Sequence, residues 1–424
     1  MTTQTQEKSK PNVTKLIVAT LIGNALEFYD IIIYAFLAVH ISKAYFPSGD
    51  ADTALLLTFG TFGISFLWRP IGGLILGNYA DTVGRKPAML FCILFMALGT
   101  AMIAFLPTYA SIGIWAPIGN LVARSLQGFA VGGQYGSATA YIVEVAPERR
   151  GFIASWQFAS QGIAGLTASL FGLLLTIYMP EADLQAWGWR IPFMFGLLVA
   201  PVGLYMLKYI EEPAAKVEKK ASESTSPIRT LFGQQKGRLI VASASLIVST
   251  SVNYLVISMP TYTIKQLGMS PNVGFGVTAA SYAILTLLTP YFGHLSDRVG
   301  RIPLMVGACV TLLLSFIPCF YAMTTYKNLF VVYAVVIILT IAKSIYYGPL
   351  ASLMADLFPQ NTRATGLAVS YNVTVTLFGG LTPLAIMLFI QVTGSSMAPA
   401  YYLIVLAIMS LVSLVAARKW YKID

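Results

Sequence analysis

Five ionisable side chains lie inside long apolar stretches of this sequence, and they are Glu27, Asp30, Arg69, Arg124 and Lys343. Charge at such depth in an apolar segment is costly and by default indicates function. Carboxylates in these positions can take up and release protons, whereas guanidinium and ammonium groups can hold an anion. The two acids and three bases therefore indicate a site that handles protons together with a small anionic molecule.

The two acids are spaced to share one face of a helix. At roughly 100° per residue, Asn24, Glu27, Asp30 and Tyr34 fall within about a third of the helix circumference. Two buried carboxylates one turn apart oppose simultaneous ionisation, so one of them can hold a proton at neutral pH and release it inside. We expect Glu27 or Asp30 to carry this coupling proton. The alternative is a buried acid that is permanently paired with an arginine.

Arg124 lies in the middle of its apolar stretch, with Gln127 one turn later and Tyr135 three turns later on nearly the same face. A guanidinium suits a carboxylate because it is a planar, two-pronged donor that stays charged. We therefore predict that Arg124, Gln127 and Tyr135 bind the anion. The alternative is an internal salt bridge from Arg124 to Glu27 or Asp30, and a bridge that exchanges partners would couple the two events.

Lys343 is a lone ammonium in ILTIAKSIYYGPL, with Tyr346 and Tyr347 one turn away. It lies about fourteen residues from the start of its apolar run, too deep for the side chain to reach the membrane surface. An anionic substrate is one candidate partner, and a carboxylate from the other half of the protein is the alternative. We predict that Lys343 and Tyr347 contact the substrate.

Neutral polar residues and one further arginine complete the candidates. Gln161, Asn253 and Tyr371 are placed to line a cavity, although interhelical hydrogen bonds are the commoner use of such groups. Arg69 lies within about two turns of the end of its span, so we expect a structural role near that end.

The elements that position these residues are transmembrane helices. The 424 residues are 57% hydrophobic and 10% charged, with a mean hydropathy of +0.72, whereas soluble domains carry about 25% charged residues. Apolar runs long enough to cross about 30 Å of hydrocarbon recur along the chain, which excludes a soluble enzyme. We predict an all-α membrane protein with twelve transmembrane helices, near residues 17–40, 54–79, 88–106, 112–143, 152–178, 191–208, 239–260, 272–292, 302–324, 329–354, 364–390 and 399–417.

The distribution of Lys and Arg predicts the orientation of these helices. If both ends of the chain are cytoplasmic, 20 of the 27 basic residues lie in cytoplasmic segments and 4 on the other side, as the positive-inside rule requires. This bias also accounts for the net charge of +10 without a nucleic-acid partner. The three cysteines all lie in apolar runs and form no CxxC pair, so we predict neither a disulfide nor a metal site.

A polar stretch in the middle of the chain separates two halves. Residues 211–238 contain EKKASESTSP and are too polar to bury a core, so we predict a cytoplasmic linker. We expect a cytoplasmic N-terminal segment at 1–16 that stays in the mature protein. A six-helix half follows at 17–210, a second six-helix half at 239–417, and a short cytoplasmic tail at 418–424.

Two loop motifs occur once in each half, which indicates an internal duplication. GNYADTVGRKP after the second span recurs 216 residues later as GHLSDRVGRIP, and EVAPERR recurs 212 residues later as DLFPQNTR. Such repeats are typical of secondary transporters, whose substrate sites lie near the bilayer midplane. We predict that charges in these motifs form gates that close and break as the halves move. The candidate gating residues are Gly77, Asp81, Arg85, Glu144, Arg150, Gly293, Asp297, Arg301, Asp356 and Arg363.

The GxxxDxxGRxP pattern after spans two and eight resembles the loop signature of the major facilitator superfamily. Segments that are similar to its metabolite–proton symporters are GNALEFYD, RPIGGLILGNYAD, ARSLQGFAVGGQYG, WGWRIPF and FGGLTPLAIMLFIQVTG. Those symporters include citrate, tricarballylate, α-ketoglutarate, shikimate and proline or betaine carriers. The resemblance implies the major facilitator fold, alternating access, a bacterial inner-membrane location and a substrate carried with protons. We also expect the protein to act as a monomer.

One position departs from the pattern of similar carriers. Where they often have the sequence GGE, this chain has Gln134 after two glycines. A glutamine side chain cannot take up a proton. Either Glu27 or Asp30 therefore performs all of the coupling, or the coupling is altered.

The leading functional hypothesis is a proton-coupled carrier for small carboxylates of the di- or tricarboxylate type. The alternative within transport is a carrier for proline or betaine. HExxH, GxSxG and GxxxxGK[ST] are absent from the sequence, so we do not expect an enzyme, and duplicated gate motifs would be redundant in a channel. The expected partners are a small anionic substrate, protons and the lipid bilayer. We expect no nucleic acid and no cofactor, with protons as the coupling ion.

Overall fold

The chain is folded into helices. The computed structural model describes residues 13–46, 50–82, 85–132, 135–136, 139–140, 143, 149–209, 227–360 and 362–423. Within these ranges the regular structure is helical and contains no strand. The prediction of an all-α protein is therefore confirmed.

The first half of the chain forms ten helices and one short 3₁₀ turn within the described ranges. They are α1 (Val13–Phe36), α2 (Ala38–Tyr45), α3 (Ala51–Thr82), α4 (Arg85–Phe105), α5 (Tyr109–Ile112), α6 (Trp115–Val131), α7 (Arg150–Tyr178), α8 (Glu181–Ala186), the 3₁₀ turn Gly188–Arg190, α9 (Ile191–Gly196) and α10 (Val199–Tyr209).

The second half forms eight helices, and a π-helical turn interrupts one of its spans. The elements are α11 (Pro227–Gln234), α12 (Lys236–Lys265), α13 (Pro271–Val299), α14 (Arg301–Tyr326), α15 (Leu329–Asp356), α16 (Arg363–Val375), the π turn Thr376–Gly380, α17 (Thr382–Thr393) and α18 (Ala398–Tyr421). Helix α11 and the first turn of α12 lie within the segment 211–238 that the sequence marked as a linker. The division into two halves stays a prediction.

Each of the twelve predicted spans contains helix among its described residues. Among the described residues, nine helical segments are long and apolar enough to cross a membrane, and α1 with α2 makes a tenth that is bent by 67°. The two remaining predicted spans correspond to a shorter apolar helix, Leu90–Phe105 within α4, and to the 17 residues of α6. The count of twelve therefore rests on ten spans of full length and two shorter helices.

Glycines bring α3 and α6 into backbone contact. A Cβ added to Gly128 would lie 1.8 Å from the carbonyl oxygen of Ser65, and one added to Gly132 would lie 1.9 Å from that of Arg69. Small residues at helix interfaces allow such close approach in membranes. The glycine-rich sequence after Arg124 thus holds Arg69 and Arg124 on adjacent helices.

Several helix pairs join the two halves, and two of them lie beside the buried charges. In the first pair, α7 packs on α13 so closely that a Cβ on Gly165 would lie 2.5 Å from the ring of Tyr282. In the second pair, α3 meets the π turn, where the Thr376 hydroxyl donates a hydrogen bond of 2.8 Å to the carbonyl of Phe66. These contacts flank the central region that contains the buried charges.

Candidate functional site

Arg124 is 1% exposed and is held by neutral groups. Its Nη1 donates to Oε1 of Gln127 at 2.7 Å, and its Nη2 donates to the Ser65 hydroxyl at 3.1 Å. The guanidinium also lies 4.4 Å from the ring centroid of Tyr34. No carboxylate among the described residues is within 4 Å of it. The alternative, a salt bridge from Arg124 to Glu27 or Asp30, is therefore not present in the structure.

Asp30 is buried inside the first half and is linked to Arg124 indirectly. Its Oδ2 accepts a short hydrogen bond from the Thr100 hydroxyl, and its Oδ1 has no hydrogen-bond partner among the described residues. Thr100 in turn accepts a hydrogen bond of 2.9 Å from Nε2 of Gln127, which holds Arg124. A continuous chain of hydrogen bonds thus joins the predicted substrate anchor to a predicted proton carrier.

Asp30, Arg69 and Arg124 line one small cavity together with Ser65 and Gln127. Its volume is about 10 Å³, which is room for a single water molecule. A substrate of several carbon atoms does not fit this space. The structure therefore represents a closed state in this part of the protein.

Arg69 is one of the residues that line this cavity. It is 1% exposed, and its guanidinium lies 4.1 Å from the ring centroid of Phe66. The apolar stretch that could cross a membrane ends at Leu76, about two turns after Arg69, as expected. The helix itself continues to Thr82. The structural role of Arg69 near the gate stays a prediction.

The four polar residues of α1 contact different helices. Asn24 donates to the carbonyl of Gln157 at 3.0 Å and to the Ser160 hydroxyl at 2.7 Å, both on α7. Tyr34 accepts a hydrogen bond from Asn120 of α6 at 2.8 Å. These two residues are interhelical ties.

Glu27 is 8% exposed and makes no hydrogen bond or ion pair with any residue that the structure describes. Arg69 is the cation that acts on it electrostatically. Asp30 and Glu27 therefore occupy distinct surroundings, Asp30 within a hydrogen-bond chain and Glu27 outside it.

Lys343 lies in α15 and is 0% exposed. Its Nζ donates to Oδ1 of Asn253 at 3.0 Å and lies 5.4 Å and 5.7 Å from the ring centroids of Tyr347 and Tyr282. Within the described part of the chain, no carboxylate lies within ion-pair distance of this ammonium. The alternative of a carboxylate partner from the other half is thus not observed.

Two stacked ring pairs connect the halves near Lys343. The rings of Tyr135 and Tyr371 stack with centroids 3.5 Å apart, and those of Phe158 and Tyr347 stack at 4.2 Å. Each pair takes one ring from each half, so a substrate that enters between the halves must separate them. Gln161, the remaining predicted ligand, is buried with its Nε2 unpaired among the described residues.

We call the surface that carries Arg150, Asp297, Arg301 and Asp356 the motif face. There Asp297 accepts hydrogen bonds from the backbone amides of Gly151 at 2.7 Å and Phe152 at 3.0 Å. These amides belong to the first turn of α7, whose free N–H groups and dipole favour an anion. Asp297 thus joins the second half to the first.

Asp356 closes the same face through arginines from both halves. Arg150 pairs with it at 3.3 Å, and Arg301 forms a second ion pair with its other oxygen. Gly293 packs against Gly151, and Nε of Arg363 donates to the carbonyl of Ala355 at 3.1 Å.

The first copy of the gating motifs is only partly visible. Gly77 and Asp81 lie in α3 and Arg85 begins α4, but the structure describes none of their side chains. Glu144 and Gln134 lie outside the described residues.

The opposite face is also closed between the halves. Lys265, at the end of α12, pairs with Asp52 of α3 at 3.7 Å, and Phe36 contacts Phe275 edge to face at 5.9 Å. Beside this pair, hydrogen bonds from Thr53 hold the pKa of Asp50 below its usual range. The described structure is therefore closed at both faces around the buried charges.

The sequence matches the family model described as Major Facilitator Superfamily over residues 20–383 and over residues 287–424. The chain belongs to the major facilitator superfamily. It is 34% identical to the alpha-ketoglutarate permease of Escherichia coli (strain K12), over 95% of this chain and 93% of that protein. It is 31% identical to the citrate-proton symporter of Klebsiella pneumoniae, over 92% and 88% of the two chains. It is also 34% identical to the proline/betaine transporter of Escherichia coli (strain K12), over 96% and 83%.

A solved structure shows the shared fold. The crystal structure of a D-xylose-proton symporter superposes with a TM-score of 0.78 at 16% identity, covering 97% of this chain and 98% of that chain. The predicted resemblance to the metabolite–proton symporters and the predicted major facilitator fold are confirmed. The chain is a multi-pass membrane transporter of this superfamily and not an enzyme.

Sequence analysis missed Thr100, which links Asp30 to Gln127. A threonine within an apolar helix commonly bonds back to its own helix, and Thr100 also lies 3.0 Å from the carbonyl of Met96. Nothing in its spacing distinguishes it from other threonines. Only the packing of α4 between α1 and α6 makes it a link.

Proposed function

We propose that this chain is a proton-coupled symporter that imports a small organic carboxylate, of the di- or tricarboxylate type, by alternating access. The observation that carries the proposal is the excess of buried positive charge. Arg69, Arg124 and Lys343 are each at most 1% exposed, and none has a carboxylate within 4 Å among the described residues. Buried ions without a counterion are strongly disfavoured. An anionic substrate would supply the missing charge.

The proposed binding site draws on both halves. Arg124 from the first half and Lys343 from the second are the cationic ligands, with Tyr135, Tyr347 and Tyr371 as the walls. Gln161 and Asn253 add polar groups, and Gln127 supports Arg124. Because ligands come from both halves, substrate binding favours a state in which the halves approach each other. This arrangement supports a single site that is exposed alternately to the two faces.

Proton coupling is assigned to Asp30 and Glu27. Both are buried acids of α1 that lie near the arginines of the first half. Two of the relatives are named citrate-proton symporters. Uptake of a proton by one acid and of a carboxylate by the arginine would keep the charge of the site balanced during transport.

Alternating access is assigned to the two closed faces. The residues of the motif face, Arg150, Asp297, Arg301 and Asp356, would separate in the inward-open state. The pair Asp52 and Lys265 would separate in the outward-open state. We place the protein in the bacterial inner membrane as a monomer, with both termini and the linker 211–238 in the cytoplasm, because this orientation follows the distribution of basic residues.

The test is uptake into proteoliposomes under an inward proton gradient. Labelled citrate, α-ketoglutarate and proline betaine are compared, each with and without a protonophore. We expect a carboxylate to accumulate and the accumulation to collapse with the gradient. We also expect Arg124→Gln to abolish uptake, with Arg229→Gln, which changes an exposed arginine of α11, as the control. Accumulation of proline betaine alone would overturn the choice of substrate.

A second candidate is a proton symporter for proline or betaine. Proline/betaine transporters are as similar to this chain as the carboxylate carriers are. Aromatic faces bind quaternary ammonium groups, and Tyr135, Tyr371, Phe158 and Tyr347 provide such faces at the interface of the halves. Against this candidate stands Lys343, whose ammonium beside Tyr347 would repel a cationic headgroup.

A further inference from the structure

We infer that Thr100 transmits the protonation state of Asp30 to Arg124 through Gln127, so that proton and carboxylate bind cooperatively. This inference rests on the proposed function and adds two positioning residues to it. Thr100 touches neither face of the protein and is completely buried. Gln127, which we had predicted as a substrate ligand, uses both ends of its amide within the chain of hydrogen bonds.

The direction of every hydrogen bond in the chain is determined by its two ends. Arg124 can only donate, so the Gln127 group facing it at 2.7 Å is the carbonyl oxygen. The amide nitrogen of Gln127 therefore faces Thr100 and donates to its hydroxyl oxygen at 2.9 Å. Thr100 then uses its single hydrogen on Asp30. Donation runs from the cation to the anion without a break.

Such a chain is strongest when both of its ends are charged. Hydrogen bonds to ionised groups are about twice as strong as neutral ones, and bonds in series polarise one another in a low-dielectric interior. While Asp30 is ionised, the chain therefore holds the guanidinium of Arg124 on Gln127. Arg124 is then less available to a substrate carboxylate.

A proton on Asp30 reverses the last bond of the chain. The new O–H of Asp30 donates to the Thr100 oxygen, and the Thr100 hydroxyl turns to the carbonyl of Met96, which already lies 3.0 Å away. No covalent bond other than the O–H of Asp30 is formed. The chain now ends on a neutral acid, so Gln127 holds Arg124 less strongly and the guanidinium can engage a carboxylate.

The other charged and titratable groups around Asp30 do not hydrogen-bond to it among the described residues, so protonation of Asp30 acts through Thr100. The charged groups that face it from neighbouring helices are Arg124 of α6 and Arg69 of α3, which line the same cavity. Its own helix contributes Tyr29 and Glu27, and α9 contributes only the backbone at Gly196, where an added Cβ would lie 2.3 Å from Oδ1. Among the described residues, no ion pair bypasses Thr100.

The inference predicts the sign of the coupling. Protonation of Asp30 should raise carboxylate affinity, and by linkage the carboxylate should raise proton affinity by the same factor. Loss of the proton on the inside would rebuild the chain and withdraw Arg124 from the substrate. Release is then driven by the same bonds that opposed binding.

The test measures the dissociation constant of labelled α-ketoglutarate, or of citrate if the first does not bind, between pH 6 and pH 8 in the purified full-length protein. We expect wild-type affinity to be about tenfold higher at pH 6. Thr100→Val keeps the shape of the side chain but removes the hydroxyl, and should flatten this dependence. Thr100→Ser should restore it. Thr58→Val is the matched control, because Thr58 is equally buried and bonds only to its own helix at Ala54.

The outcomes separate this inference from the proposed function. A flat profile in Thr100→Val, with wild-type profiles in Thr100→Ser and Thr58→Val, supports the relay. A wild-type profile in Thr100→Val, with carboxylate still carried with protons, overturns the relay and leaves the proposed function standing. If wild-type protein binds neither carboxylate at any pH, the proposed function fails and the relay fails with it. The carboxylate probe itself changes ionisation between pH 6 and pH 8. This affects all variants equally at a given pH, so it cancels when the variants are compared at the same pH.

Discussion

Replacement of Lys343 by glutamine should weaken transport without weakening the fold. The ammonium of Lys343 donates to Asn253 at 3.0 Å and has no carboxylate partner among the described residues. Glutamine is also polar and can donate to Asn253, but it carries no charge. The variant therefore separates a substrate contact from a structural ion pair, because the two roles predict opposite effects on stability.

The size of the transport effect follows from the lost contact. A hydrogen bond to a charged group contributes about 1.5–3 kcal/mol, which corresponds to a rise in KM of about 10- to 150-fold. If Lys343 were instead half of a buried ion pair, its removal would leave an uncompensated carboxylate and cost about 3–5 kcal/mol of folding free energy. Because no carboxylate of the described residues is in reach of Lys343, we expect the Tm of Lys343→Gln to equal or exceed that of the wild type.

Initial rates of labelled carboxylate uptake and thermal unfolding of the purified protein measure the two effects. Lys327→Gln, which changes an exposed lysine after α14, is the control and should alter neither quantity. A Lys343→Gln variant with normal KM would refute the role of Lys343 in substrate binding. A large fall in Tm would show that Lys343 has a structural counterion and would refute the charge argument on which the proposal rests.

Three further predictions concern the gate, the packing and the coupling. Asp297→Asn removes the charged acceptor at the start of α7 and should weaken closure of the motif face by about 1–3 kcal/mol. A cysteine placed at Ser155 should then be alkylated faster than in the wild-type background, and an unchanged rate would contradict this prediction. Gly128→Val forces a side chain to within 1.8 Å of a carbonyl oxygen and should lower the free energy of unfolding by more than about 3 kcal/mol. Gly60→Val is the control, because a Cβ at Gly60 would have nothing within 4 Å. Equal Tm values for the two variants would refute this packing. Asp30→Asn should abolish accumulation driven by a proton gradient but retain counterflow exchange, and gradient-driven accumulation by this variant would exclude Asp30 as the proton carrier.

Charged residues deep within the spans could be identified as functional candidates from the sequence, because burying a charge in the membrane is energetically costly. Lys343 and Arg124 were placed in the middle of their spans by counting alone, and both are almost completely buried. The gate residues were predicted from the duplicated motifs, and Asp297 and Asp356 do join the halves at the motif face. Repeated motifs and charged residues within apolar runs are local features of the chain, so they can be recognised in a single sequence.

Features that depend on helix ends and on neighbouring helices could not be predicted. The sequence did not show that Arg69 lines one cavity with Asp30 and Arg124, because that depends on how α1, α3 and α6 pack together. The face of α1 that seemed uniform is divided between α7 and α4, since Asn24 and Asp30 contact different partners. Thr100 gained its role only from what packs against it.

The central claim is that a carboxylate and protons cross the membrane together. The most direct measurement places a pH indicator inside proteoliposomes and adds citrate or α-ketoglutarate outside, with no gradient imposed beforehand. We predict that the lumen acidifies as the labelled carboxylate enters. Neither acidification nor entry of label should occur in protein-free liposomes or with the Arg124→Gln variant. Entry of the label without any acidification would contradict the account.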